Sequence, residues 1–453
     1  MAGVRRAVVL LVAGVLLVGL PAWAGPAGEP AVPGSGPVSA SARAVVDANI
    51  ASDIVSVYTA RELSPDVASN AITAAIAAGG AGQVLNAGVV GLYNVVRNGQ
   101  LVSTAPTGFR YPLSTTVMPP DVAGRVISRD LARTLAVGGV VMNAVTAALH
   151  GVQAGDSLSV LGWDGNAHAL TVAAIAPDAE IGAELLVSPA VADVIGLNRP
   201  SSVILWGFRS KSEIDQALAA AGLVNSTTRI RHSWDPPDPD ATLSYTETKT
   251  ALGEFAYAGS GESITLEPGW FEAHISRVTL PLGIRSSCHN VVIPALQGAL
   301  NEVAAAGLAA AIDVANTNTF GGCFHAHEIT PLGSTTGGFL SRHTWGMAID
   351  MNTVQNPEGS PPTMNCDVVR IFRKWGFAWG GNFLQGDGMH FEYVGQRRDQ
   401  LAYPSRYCPN VAGVTQSLTP TIDGSPAPLP PAPTVTDSRD RILVGPNEND
   451  LGE

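Results

Sequence analysis

Two short segments hold the residue types and spacings best suited to chemistry: Ser341-Arg342-His343-Thr344-Trp345-Gly346-Met347-Ala348-Ile349-Asp350 and Asp387-Gly388-Met389-His390-Phe391-Glu392. A catalytic zinc ion takes three protein ligands from imidazole and carboxylate and keeps a fourth position for water, whose pKa falls to about 7. His343, Asp350 and His390 meet that count. Asp387 stands three residues before His390 in a glycine-rich stretch expected to turn, so its carboxylate is assigned as the general base. Glu392 is the rival base, and its alternative role is to orient a ligand from behind.

These side chains need two strands to position them. From Met347 to Asn352 apolar and non-apolar residues alternate, which sends Met347, Ile349 and Met351 to a core and Ala348, Asp350 and Asn352 to the opposite face. Gly346 turns the chain between His343 and that strand. The same alternation from Met389 to Tyr393 buries Met389 and Phe391 and places His390 and Glu392 together. Side by side, the two strands bring Asp350 to His390.

Ser-x-His followed by Gly-x-Ala-x-Asp, with a later Asp-x-x-His-Phe-Glu, resembles the zinc peptidases that include the vancomycin-resistance D-alanyl-D-alanine carboxypeptidases and the phage and bacterial L-alanyl-D-glutamate endopeptidases. The resemblance covers roughly residues 260 to 408. It implies zinc on His343, Asp350 and His390, water activation by Asp387, and peptidoglycan stem peptides as substrate. Asp at the base position leans toward the endopeptidase branch. One departure stands out: the Arg that members carry upstream of the first ligand is missing, and the stretch reads Cys323-Phe324-His325-Ala326-His327-Glu328. His327 or Arg342 is expected to stand in for it, or His325 and His327 are structural; Ser341, Trp345 and Glu392 complete the set of supporting or substrate-touching candidates. The competing reading is a wall-associated, metal-binding pseudoenzyme that serves as a binding or sensing module.

Arg5 and Arg6, the apolar run Ala7 to Leu20 and Ala22-Trp23-Ala24 have the layout of a secretory signal, with a membrane anchor as the outcome if cleavage fails. The expected location is extracytoplasmic and associated with the cell wall. Four cysteines, Cys288, Cys323, Cys366 and Cys408, favour two disulfides in an oxidising compartment. Three pairings are possible; Cys288 with Cys323 and Cys366 with Cys408 each close a loop around half of the site. A formal net charge of -12, or -14 without Arg5 and Arg6, excludes the basic field that nucleic-acid binding needs.

The expected fold class is α+β: a C-terminal zinc peptidase-like domain with a small antiparallel sheet and flanking helices, preceded by a separate mixed α/β region. The expected boundaries are a signal at 1–24, a flexible linker at 25–44, an N-terminal domain at 45–240, a linker at 241–257, the peptidase domain at 258–410 and a disordered Pro-rich tail at 411–453. In the N-terminal domain, Ser157–Leu161 and His168–Ile175 read as a hairpin, and Ser210 with Glu213 as a capping box that opens a helix. The run at 155–162 is similar to extracytoplasmic domains of bacterial permeases. No ligand or nucleophile constellation appears in 45–240, so a targeting or scaffolding role with an unassigned partner is expected there. Helices are expected over Pro294–Ala306 and around Val368, Ile371, Phe372 and Trp375.

Overall fold

The computed structural model describes residues 50–60, 62–314, 320–329, 338–410 and 429–431. The expected signal at 1–24, the linker at 25–44 and, apart from Leu429–Pro431, the tail at 411–453 lie outside the described residues. Among the described residues no helix is long and apolar enough to cross a membrane.

Ten strands build the N-terminal part: β1 (Ile54–Thr59), β2 (Ala81–Arg97), β3 (Gln100–Thr104), β4 (Tyr111–Val117), β5 (Val140–Asn143), β6 (Ser157–Leu161), β7 (Ala167–Ala176), β8 (Leu185–Val187), β9 (Pro200–Trp206) and β10 (Thr228–His232). The 17 residues of β2 serve two assemblies. Its start pairs with β9 and continues to β1 and β10, while its remainder pairs with β4 and β6, so that β2-β4-β8-β5-β7-β6 closes as a six-stranded barrel. Alternation fills the barrel: Leu158 and Val160 of β6 point in beside Leu92, Leu113, Met142 and Val172. The hairpin β6–β7 pairs Ser157 with Thr171 and Leu161 with Ala167, as its turn residues predict. Helices Pro65–Ala77 and Lys211–Ala220 cover the β1–β9 side. At the second helix Ser210 Oγ accepts from Glu213 N at 3.2 Å, but the Glu213 carboxylate meets Arg209 Nε at 2.6 Å.

The expected linker at 241–257 is instead packed structure. Ser244 and Glu247 form a complete capping box on helix Tyr245–Leu252, and Tyr245, Lys249, Leu252 and Phe255 are buried. Ser-Tyr-Thr-Glu is the sequence signature of that cap; the proline-rich run before it drew the boundary too early. Asp240, at the end of that run, is buried against Arg373, with Oδ1 2.8 Å from its Nε.

The C-terminal part carries β11 (Tyr257–Ala258), β12 (Thr265–Leu266), β13 (Ile275–Thr279), β14 (Arg285–His289), β15 (Phe320–Gly322), β16 (Glu328–Ile329), β17 (Phe339–Leu340), β18 (Ala348–Met351), β19 (Phe377–Trp379) and β20 (His390–Tyr393). Four of them form an antiparallel sheet in the order β15-β18-β20-β19. Helix Cys366–Lys374 packs on β19 and on helix Ile293–Ala305. Val368, Ile371, Phe372 and Trp375 face this core, and Glu302 joins the helices by accepting from Lys374 Nζ and Trp375 Nε1, each at 2.8 Å. The disulfides are Cys288–Cys323 and Cys366–Cys408.

A buried ionic network fastens the barrel to helix Tyr245–Leu252. Lys249 Nζ lies 2.7 Å from Glu184 Oε1 and 2.8 Å from Glu254 Oε1 and also donates to Pro112 O. Glu184 in turn accepts from Thr146 Oγ1 at 3.0 Å and Ser114 N at 2.9 Å. Burial opposes the Glu254 charge, but Lys249 and His150 outweigh it and bring its pKa down to about 2. Removing one member strands the others in a dry interior, which typically costs about 3–5 kcal/mol. Lys249→Ala is therefore expected to lower the unfolding free energy by roughly that amount in urea titration; a loss below about 1 kcal/mol would show that water relieves the network.

Candidate metal centre

His343 lies in a one-turn 3-10 helix, Arg342–Trp345. Ser341 caps it, its Oγ accepting from His343 N at 3.1 Å. The turn ends on Gly346, whose φ of 65° is left-handed, and a Cβ there would meet Ile275 Cδ1 at 2.7 Å and His289 N at 3.1 Å. Only glycine fits both the conformation and the space. From this turn the chain passes through Met347 into β18, and Met347, Ile349 and Met351 are fully buried as the alternation predicts.

The register of β18 on β20 sets Asp350 opposite His390 and Ala348 opposite Glu392. His343 Nε2 lies 3.3 Å from Asp350 Oδ1, and His390 Nδ1 lies 3.3 Å from the same oxygen. Ligands about 2.0–2.1 Å from a tetrahedral zinc stand about 3.3 Å from one another, so each histidine has that spacing to Asp350, and the ligand atoms of all three residues lie within 4.8 Å of one another. Among the described residues this is the one cluster of His, Cys, Asp or Glu side chains that converges closely enough to hold an ion. Burial pushes the Asp350 carboxyl up, but the charges and hydrogen bonds of His343 and His390 outweigh it and hold the group far below the usual carboxylate range.

Each histidine is oriented from behind. His343 Nδ1 is 3.1 Å from Cys323 O, a pure acceptor, which makes Nδ1 the donor and leaves the Nε2 lone pair aimed at the cluster. His390 Nε2 faces Glu392 Oε2 at 3.5 Å, so Nδ1 is its ligating atom. Glu392 is fully buried and its other oxygen receives Arg342 Nε at 3.3 Å. Glu392 therefore backs His390 from behind and is held by Arg342.

Asp387 sits on the turn that enters β20 and is only 2% exposed. Its amide donates to Gly380 O at 2.9 Å, and its carbonyl accepts from His390 N at 3.3 Å. Trp379 Nε1 donates to Gly388 O at 2.9 Å, bracing the same turn.

The remaining candidates separate. Arg342 is 1% exposed, donates to Leu243 O at 2.6 Å and lies over Tyr245, so it supports Glu392 and is not placed to hold substrate. Trp345 is core, packed on Phe255 and Tyr245, and Trp375 and Trp379 are buried too. His327 stacks 6.4 Å from the His343 ring and 4.4 Å from His325, outside the converging cluster. Sequence reasoning missed the Cys323 carbonyl and Gly321. A Cβ on Gly321 would press on the Asp350 carboxylate and lie 2.9 Å from Asp350 Cβ. Neither carries a local sequence signal, because both are brought in from β15 and the loop after it.

Two predictions follow from these supports. Glu392→Gln is expected to keep the fold, read by circular dichroism, and weaken zinc binding about 10–100-fold in chelator competition; unchanged affinity would remove Glu392 from the site's support. The second concerns His289, whose backbone N–H bonds Gly346 O at 3.0 Å. Its Nε2 donates to Leu252 O at 2.9 Å, and its Nδ1 accepts from Val291 N at 3.2 Å, a pattern only the neutral ring makes. Burial, with His274 nearby, lowers its pKa to about 4 against the upward pull of the Leu252 carbonyl. Between pH 6.5 and about 4 the unfolded chain binds more protons, so stability falls as pH falls through that window. His289→Gln is expected to remove about 2–3 kcal/mol of that slope relative to the parent chain; parallel stability curves would refute the neutral assignment.

The family described as D-alanyl-D-alanine carboxypeptidase matches residues 334–393, the stretch that holds His343, Asp350, Asp387, His390 and Glu392. No curated protein matches the chain. Among solved structures, the extracellular domain of the ABC-type transporter YknZ from Gram-positive bacteria aligns at 11% identity with a TM-score of 0.24, covering 39% of this chain and 98% of that one. A likeness at that score supports no statement about this chain. The match over 334–393 assigns a peptidase-like domain to the C-terminal region.

Proposed function

We propose that the protein is an exported zinc peptidase that hydrolyses peptidoglycan stem peptides in cell-wall remodelling, as a D-alanyl-D-alanine carboxypeptidase or an L-alanyl-D-glutamate endopeptidase. The observation that carries this reading is the convergence of His343, Asp350 and His390, with each imidazole nitrogen 3.3 Å from Asp350 Oδ1 and all three ligand atoms within 4.8 Å of one another, beside the buried Asp387 turn. A zinc ion held there would activate water and polarise the scissile carbonyl. Asp387 takes the proton from the attacking water and returns it to the leaving amine, while Cys323 O and Glu392 keep both imidazoles in their ligating tautomers. Two disulfides in the same domain suit an oxidising, extracytoplasmic compartment.

The absence of Arg from Cys323–Glu328 favours a second reading, a metal-holding protein of the wall that binds or senses without turnover. Digestion of purified peptidoglycan separates the two. Chelator-sensitive release of terminal D-Ala, or cleavage after L-Ala, is expected from the zinc-loaded chain, and Asp387→Ala is expected to retain zinc while losing about 10²–10⁴-fold in rate. Zinc-loaded protein that yields no chelator-sensitive fragment would leave the binding role standing.

A further inference from the structure

We infer that Arg277 and Arg285, on the hairpin β13–β14, form the carboxylate-binding wall of a substrate groove beside the metal centre, supplying the positive charge that the chain lacks over Cys323–Glu328. This deepens the peptidase reading above and rests on it. The groove runs between the hairpin and β15, and Gly321 and Gly322 lie along it. A Cβ on Gly321 would press on the Asp350 carboxylate, so the groove abuts a candidate metal ligand. Ser286 Oγ accepts from Cys323 N at 2.8 Å and the Cys288–Cys323 disulfide ties the two walls together, which fixes their separation.

Register explains the charge. Arg277 pairs with Ser287 and Thr279 with Arg285 across the hairpin. Residues opposite one another in an antiparallel pair share a face, and diagonal neighbours stand about 7–8 Å apart. Arg277, Thr279, Arg285 and Ser287 therefore share one face of the hairpin, opposite the Ser286 and Cys288 face that meets Cys323, and both arginines line the groove. Both arginines are exposed, neither makes an ion pair among the described residues, and no Asp or Glu lines the groove. Two adjacent cations without counter-charge, in a chain of net charge -12, call for an anionic ligand. Guanidinium groups hold a carboxylate through paired, charge-assisted hydrogen bonds, and stem peptides carry free carboxylates.

The test uses the full zinc-loaded chain and the pentapeptide L-Ala-D-Glu-L-Lys-D-Ala-D-Ala, as the free acid and as its methyl esters. Calorimetric binding and hydrolysis are read together with zinc content. Arg277→Ala/Arg285→Ala is expected to weaken binding of the free acid, and to raise its KM, roughly tenfold or more, with ester binding and zinc content unchanged. Arg285→Lys in the single-variant series is expected to recover part of the loss. Equal affinity of the parent and the double variant for the free acid would overturn the assignment. A parent chain that binds the free acid through these arginines yet cleaves neither it nor peptidoglycan would sink the peptidase reading and leave the groove assignment standing.

Discussion

The candidate metal centre depends on the pairing register between β18 and β20. Asp350 faces His390 only because Ile349 stands opposite Phe391 and Ala348 opposite Glu392. A slip by one residue would turn every side chain of the strand to the other face, sending Asp350 into the core and Ile349 to the site. The apolar face resists that slip: Ile349, Met351 and Phe391 are fully buried in the cluster that holds Phe372, Trp379 and Val368. Packing thus sets the position of the chemistry, and His343, on the turn before β18, follows because Gly346 permits one tight reversal.

Behind the ligands lies a second constraint, buried charge. Arg342, Glu392 and His390 are in line, and each is almost fully buried. Arg342 also lies over Tyr245, whose hydroxyl bonds the Leu340 backbone. Tyr245 opens the same helix from which Lys249 reaches Glu184 of the barrel side. Helix Tyr245–Leu252 therefore reaches the barrel through Lys249 and the turn that carries His343 through Tyr245. Burying such groups gains little net stability, but disrupting them is expensive, so each one excludes alternative packings around the site.

The disulfides work on the rim. Cys288–Cys323 joins β14 to the residue whose carbonyl accepts from His343 Nδ1, so one covalent bond ties the hairpin to the backbone that orients that imidazole. Cys366–Cys408 anchors the start of the helix that backs β19. Loop closure of this kind restricts the unfolded chain more than it adds contacts to the folded one.

Much of this was legible in the sequence because the signals are local. Alternation marked the strands around Asp350 and His390, a proline and a glycine marked the helix now seen at Ile293–Ala305, and four cysteines limited the pairings to three. Met389 departs from its expected full burial and is partly exposed, since it lies on the turn before β20, ahead of the regular pleat. Helix Tyr245–Leu252 is legible too, through Ser244 and Glu247, although the proline-rich run before it argues locally for a linker. What the chain itself determined was chemical: which side chains can bind a metal, which can move a proton, and which strands can carry them. What only the tertiary structure decided was non-local: the barrel closed by β2 on β6, the Cys323 carbonyl behind His343, the burial of Arg342, and Arg277 beside Arg285 on one groove. Those depend on contacts between residues tens of positions apart, and no short-range pattern encodes a distance of that kind.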